Sequence, residues 1–215
     1  MTEETLEICE LFTSLQGESS YAGMGCFFIR LAGCNLRCSY CDSRYAFEGQ
    51  GRTVPVALLL AEAQAARVPL IEMTGGEPLL QAATPQLLQG LARIPAKTVL
   101  VETNGSLDIG CIPDDVVAIV DVKCPESGEG ASFDLANLER LRPRDELKFV
   151  IASRADYDWA CRFVRAHDAV WRAAAVHFSP VAAAGFRAED LAAWVLEDAL
   201  PVRLQLQLHR ILQMR

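Results

Sequence analysis

The feature that most constrains the fold is a pair of apolar, β-branched runs that lie close together in the chain. TVLVET occupies residues 98–103 and VVAIVDVK occupies residues 116–123. Runs of this kind are typical of strands that are buried on both faces of a parallel sheet. Only about a dozen residues separate the two, too few for a full crossover helix. The sequence therefore predicts a parallel sheet in which some connecting helices are shortened or missing.

Further apolar runs extend this sheet along the chain. Strands are predicted at residues 6–12, 26–32, 70–74, 146–152 and 174–180, and an alternating run follows at 203–209. This pattern gives about six parallel strands after the N-terminal one. A full (β/α)₈ barrel usually needs about 250 residues, and this chain has 215. We therefore expect an α/β fold, an incomplete, open TIM-type barrel, formed as a single domain over residues 1–215.

Capping residues and proline predict where the connecting helices begin. The expected helices are one capped by Thr53 that runs to about Arg67, one capped by Thr84 with Pro85 at its first position, one capped by Ser153, and one near 187–199. Each helix follows a predicted strand or loop, as a strand–helix alternation requires.

Composition limits the partners of the chain. The net charge is −8 and the Lys and Arg residues are scattered, which argues against a nucleic-acid partner. No apolar run reaches the length that crosses a membrane. Nothing at the N-terminus resembles a secretory signal, so we expect a cytoplasmic protein whose thiols are reduced.

Three cysteines stand close together in the loop after the strand predicted at 26–32. Cys34, Cys38 and Cys41 have C-x₃-C-x₂-C spacing within GCNLRCSYCDS. Such thiols could form disulfides, bind zinc or bind an iron–sulfur cluster. Structural zinc normally takes four protein ligands, and no fourth Cys or His lies nearby. Three thiolates suit a [4Fe–4S] cluster in which one iron stays open for a small chelating molecule.

The remaining cysteines are dispersed through the sequence. We expect most of them to be small core residues, the five being Cys9, Cys26, Cys111, Cys124 and Cys161.

The cysteine spacing, with Tyr40 directly before the last cysteine, resembles the signature of the radical S-adenosylmethionine (SAM) enzymes. The resemblance implies two cofactors, a [4Fe–4S] cluster and SAM. In that superfamily, the amine and carboxylate of SAM chelate the open iron. One-electron reduction then cleaves SAM to methionine and a 5′-deoxyadenosyl radical, which takes hydrogen from a substrate.

Polar motifs follow several of the predicted strands. TGGEP (74–78), ETNG (102–105), DVK (121–123) and FSPV (178–181) each end an apolar run. The carboxyl ends of parallel strands meet at one edge, where α/β proteins place their chemistry. Taken singly, each motif could also be a turn or a solvated charge pair. The resemblance implies SAM contacts from Tyr40, Cys41, Asp42, Gly76, Asp121, Val122, Lys123, Ser179 and Pro180.

The segment LQGE (15–18) narrows the resemblance from the superfamily to one of its families. Together with FIRLAGCNLRCSYCDS, MTGGEPLLQ, VETNG, DVKCP and the terminal LQLHR, it is similar to the 7-carboxy-7-deazaguanine synthase family over nearly the whole chain. That family converts 6-carboxy-5,6,7,8-tetrahydropterin to 7-carboxy-7-deazaguanine with loss of ammonia, in queuosine biosynthesis. The resemblance implies substrate contacts from Leu15, Gln16, Gly17, Arg30 and Thr74, with Glu18 as a further candidate.

The same resemblance implies a metal and partners. Ser43 matches a position that supplies a hydroxyl to Mg²⁺, usually as threonine in that family, and hydroxyl oxygen suits this hard cation. Partners would be an external electron donor of the flavodoxin or ferredoxin type and a second copy of the chain in a homodimer.

Two other functions stay open at this point. One is a radical SAM activating enzyme that installs a glycyl radical on a partner protein, against which LQGE and Arg30 argue because they indicate a small-molecule pocket. The other is a non-enzymatic iron–sulfur module, although an electron carrier needs no open iron.

Overall fold

One nine-stranded sheet organises the chain, of which the computed structural model describes residues 4–181 and 186–214. The strands are β1 (Thr5–Leu15), β2 (Gly25–Leu31), β3 (Arg52–Pro55), β4 (Leu70–Gly75), β5 (Thr98–Thr103), β6 (Val116–Val122), β7 (Glu146–Ile151), β8 (Ala175–Pro180) and β9 (Arg203–Leu204). Their order across the sheet is β3-β1-β2-β4-β5-β6-β7-β8-β9.

The sheet is mostly parallel and open. β1 pairs antiparallel with β2 and β3, whereas every neighbouring pair from β2 to β9 is parallel. β3 and β9 stand at opposite edges, so the sheet curves without closing. The predicted open TIM-type barrel is therefore confirmed, with the two-residue β9 added to the six core strands that the sequence predicted.

The described helices are α1 (Tyr45–Glu48), α2 (Val56–Ala65), α3 (Thr84–Leu91), α4 (Asn137–Arg140), α5 (Arg154–Ala166), α6 (Ala188–Glu197) and α7 (Leu208–Ile211). The five from α2 to α6 pack into the main core on the outer face of the sheet. Between β5 and β6 the connection holds only a 3₁₀ turn, Ile109–Cys111, as the short spacing predicted. Ser153 caps α5 as expected, because its hydroxyl accepts a hydrogen bond from the Asp156 backbone N–H. Across residues 4–181 and 186–214, no helix has the length and apolarity to cross a bilayer.

Two predicted helix caps are wrong because their hydroxyls serve other contacts. Thr53 lies in β3, opposite Glu7 of β1, and its hydroxyl donates to the Glu7 carboxylate. The helix therefore begins later, at Val56. Thr84 is the first residue of α3 rather than its cap, and it donates to the Pro78 carbonyl.

The run predicted at 203–209 splits into two elements. Only Arg203 and Leu204 pair with β8. The chain then turns into α7, and the Leu208 N–H donates to the Gly17 carbonyl at 2.9 Å. A contact with the loop after β1 thus replaces continued strand pairing.

The sheet has a different composition on each face. Along β5, Val99 and Val101 pack into the main core with the outer helices, and Leu100 points to the inner face. The inner face begins with an apolar cluster of Cys26, Phe28, Leu70, Leu100, Val117 and Ile119. Two residues further along the strands, this face carries Glu72, Glu102 and Asp121. The barrel therefore has an apolar floor and a polar mouth at its carboxyl edge.

The dispersed cysteines fit the expectation that most of them are core residues. Cys26, Cys124 and Cys161 are buried, and Cys9 is half-buried. Cys111 is exposed, because it ends the 3₁₀ turn at the surface, so most of the five cysteines, but not all, are core residues.

Candidate active site

A cavity of about 600 Å³ opens at the carboxyl ends of the parallel strands. Its wall brings together fifteen of the residues that the sequence predicted for the site: Leu15, Gln16, Gly17, Glu18, Arg30, Cys34, Cys38, Tyr40, Cys41, Asp42, Ser43, Thr74, Gly76, Asp121 and Lys123. Val122, Ser179 and Pro180 do not line it. The side chain of Val122 packs into the outer core because neighbouring strand residues face opposite sides.

The cysteine loop, residues 33–43, follows β2 and presents three free thiols to this cavity. The Leu36 N–H lies 3.4 Å from Cys34 Sγ. Burial raises the pKa of the Cys34 and Cys38 thiols, while the nearby Lys123 ammonium opposes the increase. A cation bound among these thiols would favour the thiolate form that coordinates metal.

The donor set fits an iron–sulfur cluster better than a single ion. Among the described residues, no three His, Cys, Asp or Glu side chains are arranged to hold one metal ion. In a cubane cluster each thiolate binds a different iron, so the three sulfurs need not converge on one point. The three half-buried thiols, Cys34, Cys38 and Cys41, line the cavity and would hold such a cluster.

The Gly75-Gly76-Glu77 turn after β4 fixes the cysteine loop by close backbone approach. A Cβ on Gly76 would lie 1.7 Å from the Gly33 carbonyl oxygen, so only glycine fits there. The Glu77 N–H donates to the same oxygen at 2.8 Å. The fully buried Glu77 carboxylate accepts hydrogen bonds from the Thr103 hydroxyl at 2.8 Å and the Asn104 N–H at 2.7 Å. One residue therefore joins the loops that follow β2, β4 and β5.

Two buried oxygens at the predicted SAM positions have unused hydrogen-bonding capacity. Asp121 Oδ2 accepts from Lys123 Nζ at 2.7 Å, whereas Asp121 Oδ1 and the Ser179 hydroxyl find no partner in the described structure. Buried polar groups are rarely left unpaired. Burial opposes the charge of Asp121, but Lys123 and Lys148 hold the pKa of its carboxyl below the usual value. Asp121 lines the cavity, so its unpartnered oxygen fits a polar cofactor bound at the strand ends, whereas Ser179 lies outside the cavity wall.

The cavity wall also holds a charged cluster centred on Lys148, a residue that the sequence analysis did not single out. Lys148 on β7 donates to Glu18 at 2.8 Å and also contacts Glu102. Burial works against the charge of Lys148, but the surrounding carboxylates raise its pKa well above the usual value. The available signal was a charged residue inside each of three otherwise apolar strands, in LIEMT, TVLVET and ELKFVI.

Glu72 on β4 is the most perturbed carboxyl of this group. Its side chain lines the cavity and the residue is 2 % exposed. Burial raises its pKa well above the usual value, and the carboxylates of Glu102 and Glu18 raise it further. The Gln16 amide donates to Glu72 and accepts from the Glu18 N–H at 3.0 Å. Glu72 therefore fixes which way the Gln16 amide points.

The C-terminal segment, residues 205–212, covers the LQGE loop, residues 16–24. Gln207 donates to Glu18 at 2.7 Å. A Cβ on Gly17 would lie 2.1 Å from His209 Nδ1, so Gly17 leaves room for that imidazole. Gln207, His209 and Arg210 all line the cavity. These contacts join the two ends of the chain, and local sequence patterns could not reveal them.

Comparison with known proteins identifies the family to which the chain belongs. The sequence model of the Radical SAM superfamily matches residues 28–124. A 7-carboxy-7-deazaguanine synthase from Koribacter versatilis is 48% identical, covering 96% of this chain and 96% of that protein. The synthase from Chlorobaculum tepidum is 44% identical, covering 97% and 94%. The chain belongs to the 7-carboxy-7-deazaguanine synthase family.

Solved structures show the same fold. QueE from Escherichia coli superposes with a TM-score of 0.78 at 21% identity, covering 95% of both chains. SuiB from Streptococcus suis is more distant, with a TM-score of 0.55 at 12% identity over 81% of this chain and 47% of that one. This 7-carboxy-7-deazaguanine synthase family member thus shares the fold of QueE.

Within this family member, the predicted carboxylate-binding residue Arg30 and the predicted metal-binding residue Ser43 both line the cavity. Arg30 donates from Nε to Glu10 at 2.9 Å and from Nη1 to the Gly75 carbonyl at 3.3 Å, while its guanidinium still lines the cavity. Ser43 Oγ lies 3.9 Å from Cys41 Sγ. Asp42 pairs with Arg210 at 2.8 Å. Some of the Arg30 guanidinium donors and the Asp42 carboxylate are therefore already engaged in contacts within the protein.

Proposed function

We propose that this radical SAM enzyme converts 6-carboxy-5,6,7,8-tetrahydropterin to 7-carboxy-7-deazaguanine with loss of ammonia, a step of queuosine biosynthesis. The observation that carries the proposal is one cavity whose wall holds the three cysteines, the LQGE loop and Arg30 together. Near full-length identity of 48% to a protein of that name supports it.

The residues in the wall divide into a cofactor side and a substrate side. Cys34, Cys38 and Cys41 would hold the [4Fe–4S] cluster. When bound, the cluster and SAM supply a 5′-deoxyadenosyl radical that takes hydrogen from the substrate. Contacts to SAM would come from Tyr40, Cys41, Asp42, Gly76, Asp121, Val122, Lys123, Ser179 and Pro180. The unpartnered Oδ1 of Asp121, a residue that lines the cavity, supports this assignment.

The substrate side presents acceptors to a pterin ring. A pterin edge carries ring and amino N–H groups, and the carboxyls of Glu18, Glu72 and Glu102 surround that part of the cavity. Leu15, Gln16, Gly17 and Thr74 would complete the contacts to the ring. The Gln16 side chain is held by Glu72 and Glu18, so its role is to shape the pocket with an amide of fixed orientation.

The substrate carboxylate would meet cations at the edge of the cavity. Arg30 keeps donor capacity on its guanidinium beyond its bonds to Glu10 and Gly75, and such groups bind carboxylates well. Ser43 would supply a hydroxyl to Mg²⁺, with substrate and water oxygens completing the shell. The protein thereby fixes the position of the reacting carbon relative to the radical source.

Only the family likeness supports our proposals for the oligomeric state, the cellular location and the electron donor. We propose a homodimer that works in the cytoplasm and receives electrons from a flavodoxin- or ferredoxin-like donor.

Anaerobic reconstitution tests the function. Wild type incubated with SAM, Mg²⁺, a reductant and the carboxytetrahydropterin should release 7-carboxy-7-deazaguanine and ammonia, detected by mass spectrometry and an ammonia assay. Cys38→Ala should lose cluster iron and product together, because each thiolate binds its own iron. Cys161→Ala, which removes a buried thiol outside the cavity, should keep both. Loaded wild-type enzyme that leaves this pterin unchanged would contradict the proposal.

A further inference from the structure

A buried glutamate–histidine pair lies outside the wall of the cavity described above. Glu146 is the first residue of β7, and His177 lies in the middle of β8. His177 Nε2 is 2.8 Å from Glu146 Oε2, and each residue is 2 % exposed. Neither residue lines the cavity. Two ionisable side chains buried this deeply cost desolvation free energy, so their contacts call for an explanation.

The Glu146 carboxylate reaches from the sheet to the LQGE loop. Its two oxygens accept a hydrogen bond from the Ser20 N–H, at 3.0 Å and 3.3 Å. The preceding residue, Ser19, has a φ of 61°, a left-handed conformation that is uncommon outside glycine. Tertiary contacts must therefore hold the backbone at this point. The Ser19 carbonyl accepts a second bond from Gln205 at 3.0 Å.

Strand β7 holds this loop at two points. Side chains two residues apart on a strand face the same side, so Glu146 and Lys148 project together. Lys148 binds the Glu18 carboxylate at 2.8 Å, and Glu146 binds the Ser20 N–H. One strand face thus fixes positions 18 and 20 of the loop that carries Gln16, Gly17 and Glu18.

The chemistry of the pair fixes the orientation of both side chains. Burial opposes ionisation of Glu146, but hydrogen bonds from His177 and Ser20 lower the pKa of its carboxyl below the usual value. An ionised carboxylate accepts, so His177 Nε2 donates to Glu146. His177 Nδ1 has no partner in the described structure. The single bond from Nε2 therefore holds the imidazole against Glu146.

We propose that Glu146 and His177 are positioning residues that hold the LQGE loop in its substrate-binding conformation. His177 orients the Glu146 carboxylate, and Glu146 holds the Ser20 N–H, so that Gln16, Gly17 and Glu18 face the cavity. The inference rests on the proposed function, because it assigns these two residues to recognition of the same substrate. It predicts a defect in substrate binding with the cluster intact.

Paired disruptive and conservative variants test the proposal. His177→Leu and Glu146→Ala remove the pair. His177→Gln keeps an N–H donor near the Nε2 position, and Glu146→Gln keeps an acceptor for the Ser20 N–H. The matched control is Tyr157→Phe, which removes buried hydrogen bonds to the Trp194 carbonyl and Asp198, away from the cavity.

The first readout needs no substrate. Hydrogen–deuterium exchange of the peptide that covers residues 15–24 should be faster in His177→Leu and Glu146→Ala than in wild type. It should be close to wild type in His177→Gln, Glu146→Gln and Tyr157→Phe. Unchanged exchange in a folded, iron-loaded disruptive variant would overturn the proposal.

The second readout is kinetic. The disruptive variants should raise KM for the pterin by about tenfold or more, with iron content and SAM affinity unchanged, and the conservative variants should recover most of the loss. Tyr157→Phe should lower the melting temperature without moving KM. A loosened loop with an unchanged KM would overturn the positioning role. If wild type does not turn over the pterin, the proposed function fails, and the exchange data still decide whether the pair holds the loop.

Discussion

At the scale of single residues, five carboxyls of the LQGE loop and the inner face of the sheet fall into two groups. Glu18, Asp121 and Glu146 have pKa values below the usual range, because Lys148, Lys123 or hydrogen bonds outweigh the effect of burial. Glu72 and Glu102 have raised pKa values, because burial and neighbouring carboxylates dominate. The site thus contains both ionised acceptors and carboxyls that bind protons more tightly than an ordinary exposed carboxyl does. Such pairs of opposite environment are typical of active sites.

Glu72→Gln should stabilise the fold at mildly alkaline pH. A carboxyl whose pKa is raised on folding binds more protons in the folded than in the unfolded state, so its stability contribution falls as pH rises from about 4.3 toward the folded pKa. Removing that group should increase the free energy of unfolding at pH 8 by about 1 kcal/mol or more. The difference should shrink as pH falls toward the ordinary carboxyl pKa.

Chemical denaturation of both proteins at several pH values measures this effect. Tyr157→Phe serves as a control whose destabilisation should vary little with pH over that range. A Glu72→Gln protein that is less stable than wild type at pH 8, by the same amount as at pH 5, would show that Glu72 is ionised at little cost.

Ser43 gives a second prediction at this scale. If its hydroxyl binds Mg²⁺, Ser43→Ala should weaken the affinity for Mg²⁺ by about tenfold, as measured from the Mg²⁺ concentration at half-maximal turnover. Ser43→Thr should preserve or strengthen that affinity. The cysteines are untouched, so both variants should load iron normally. Mg²⁺ titrations of the three proteins check the assignment, and superimposable curves for wild type and Ser43→Ala would remove Ser43 from the metal shell.

At the scale of elements, the turns after the strands hold the site together. The turn after β4 packs on the cysteine loop at Gly76 and joins the end of β5 through Glu77. The LQGE loop is held between β7 on one side and the C-terminal segment on the other. Each site loop therefore depends on contacts with elements distant in sequence.

Gly76→Ala should disrupt the cysteine loop. The added Cβ would lie 1.7 Å from the Gly33 carbonyl oxygen, and backbone cannot yield as a side chain can. We expect iron content after reconstitution to fall to a small fraction of the wild-type value. Gly90→Ala is the matched control, because its Cβ would meet only the flexible end of Leu60. Full iron loading of folded Gly76→Ala would contradict the close approach.

Sequence predicted elements well where hydrophobic periodicity decides them. The strands at 98–103 and 116–123 are found where expected, because a strand buried on both faces needs an apolar run. The cap at Ser153 is also found, because the unpaired N–H groups at the start of a helix need a hydrogen-bond acceptor. Thr53 and Thr84 were assigned as caps wrongly, since each hydroxyl binds a partner that only the tertiary fold supplies.

At the scale of the whole molecule, the sheet brings distant residues to one edge. Parallel pairing from β2 to β9 aligns the strand ends, so that motifs spread over more than a hundred residues face one cavity. The cysteines and LQGE could be found in sequence because their letters and spacing are distinctive. Lys148, Glu72 and His209 could not, because their importance lies in contacts across the barrel.

Transfer of hydrogen from C6 of the pterin is the most direct test of the central claim, that the radical source and the pterin site share one cavity. Reconstituted enzyme should be incubated with SAM and carboxytetrahydropterin that carries deuterium at C6. The account predicts deuterium in 5′-deoxyadenosine or in recovered SAM, together with 7-carboxy-7-deazaguanine. SAM cleavage that is unaffected by the pterin, with no deuterium transferred and a glycyl radical formed on a partner protein, would contradict it.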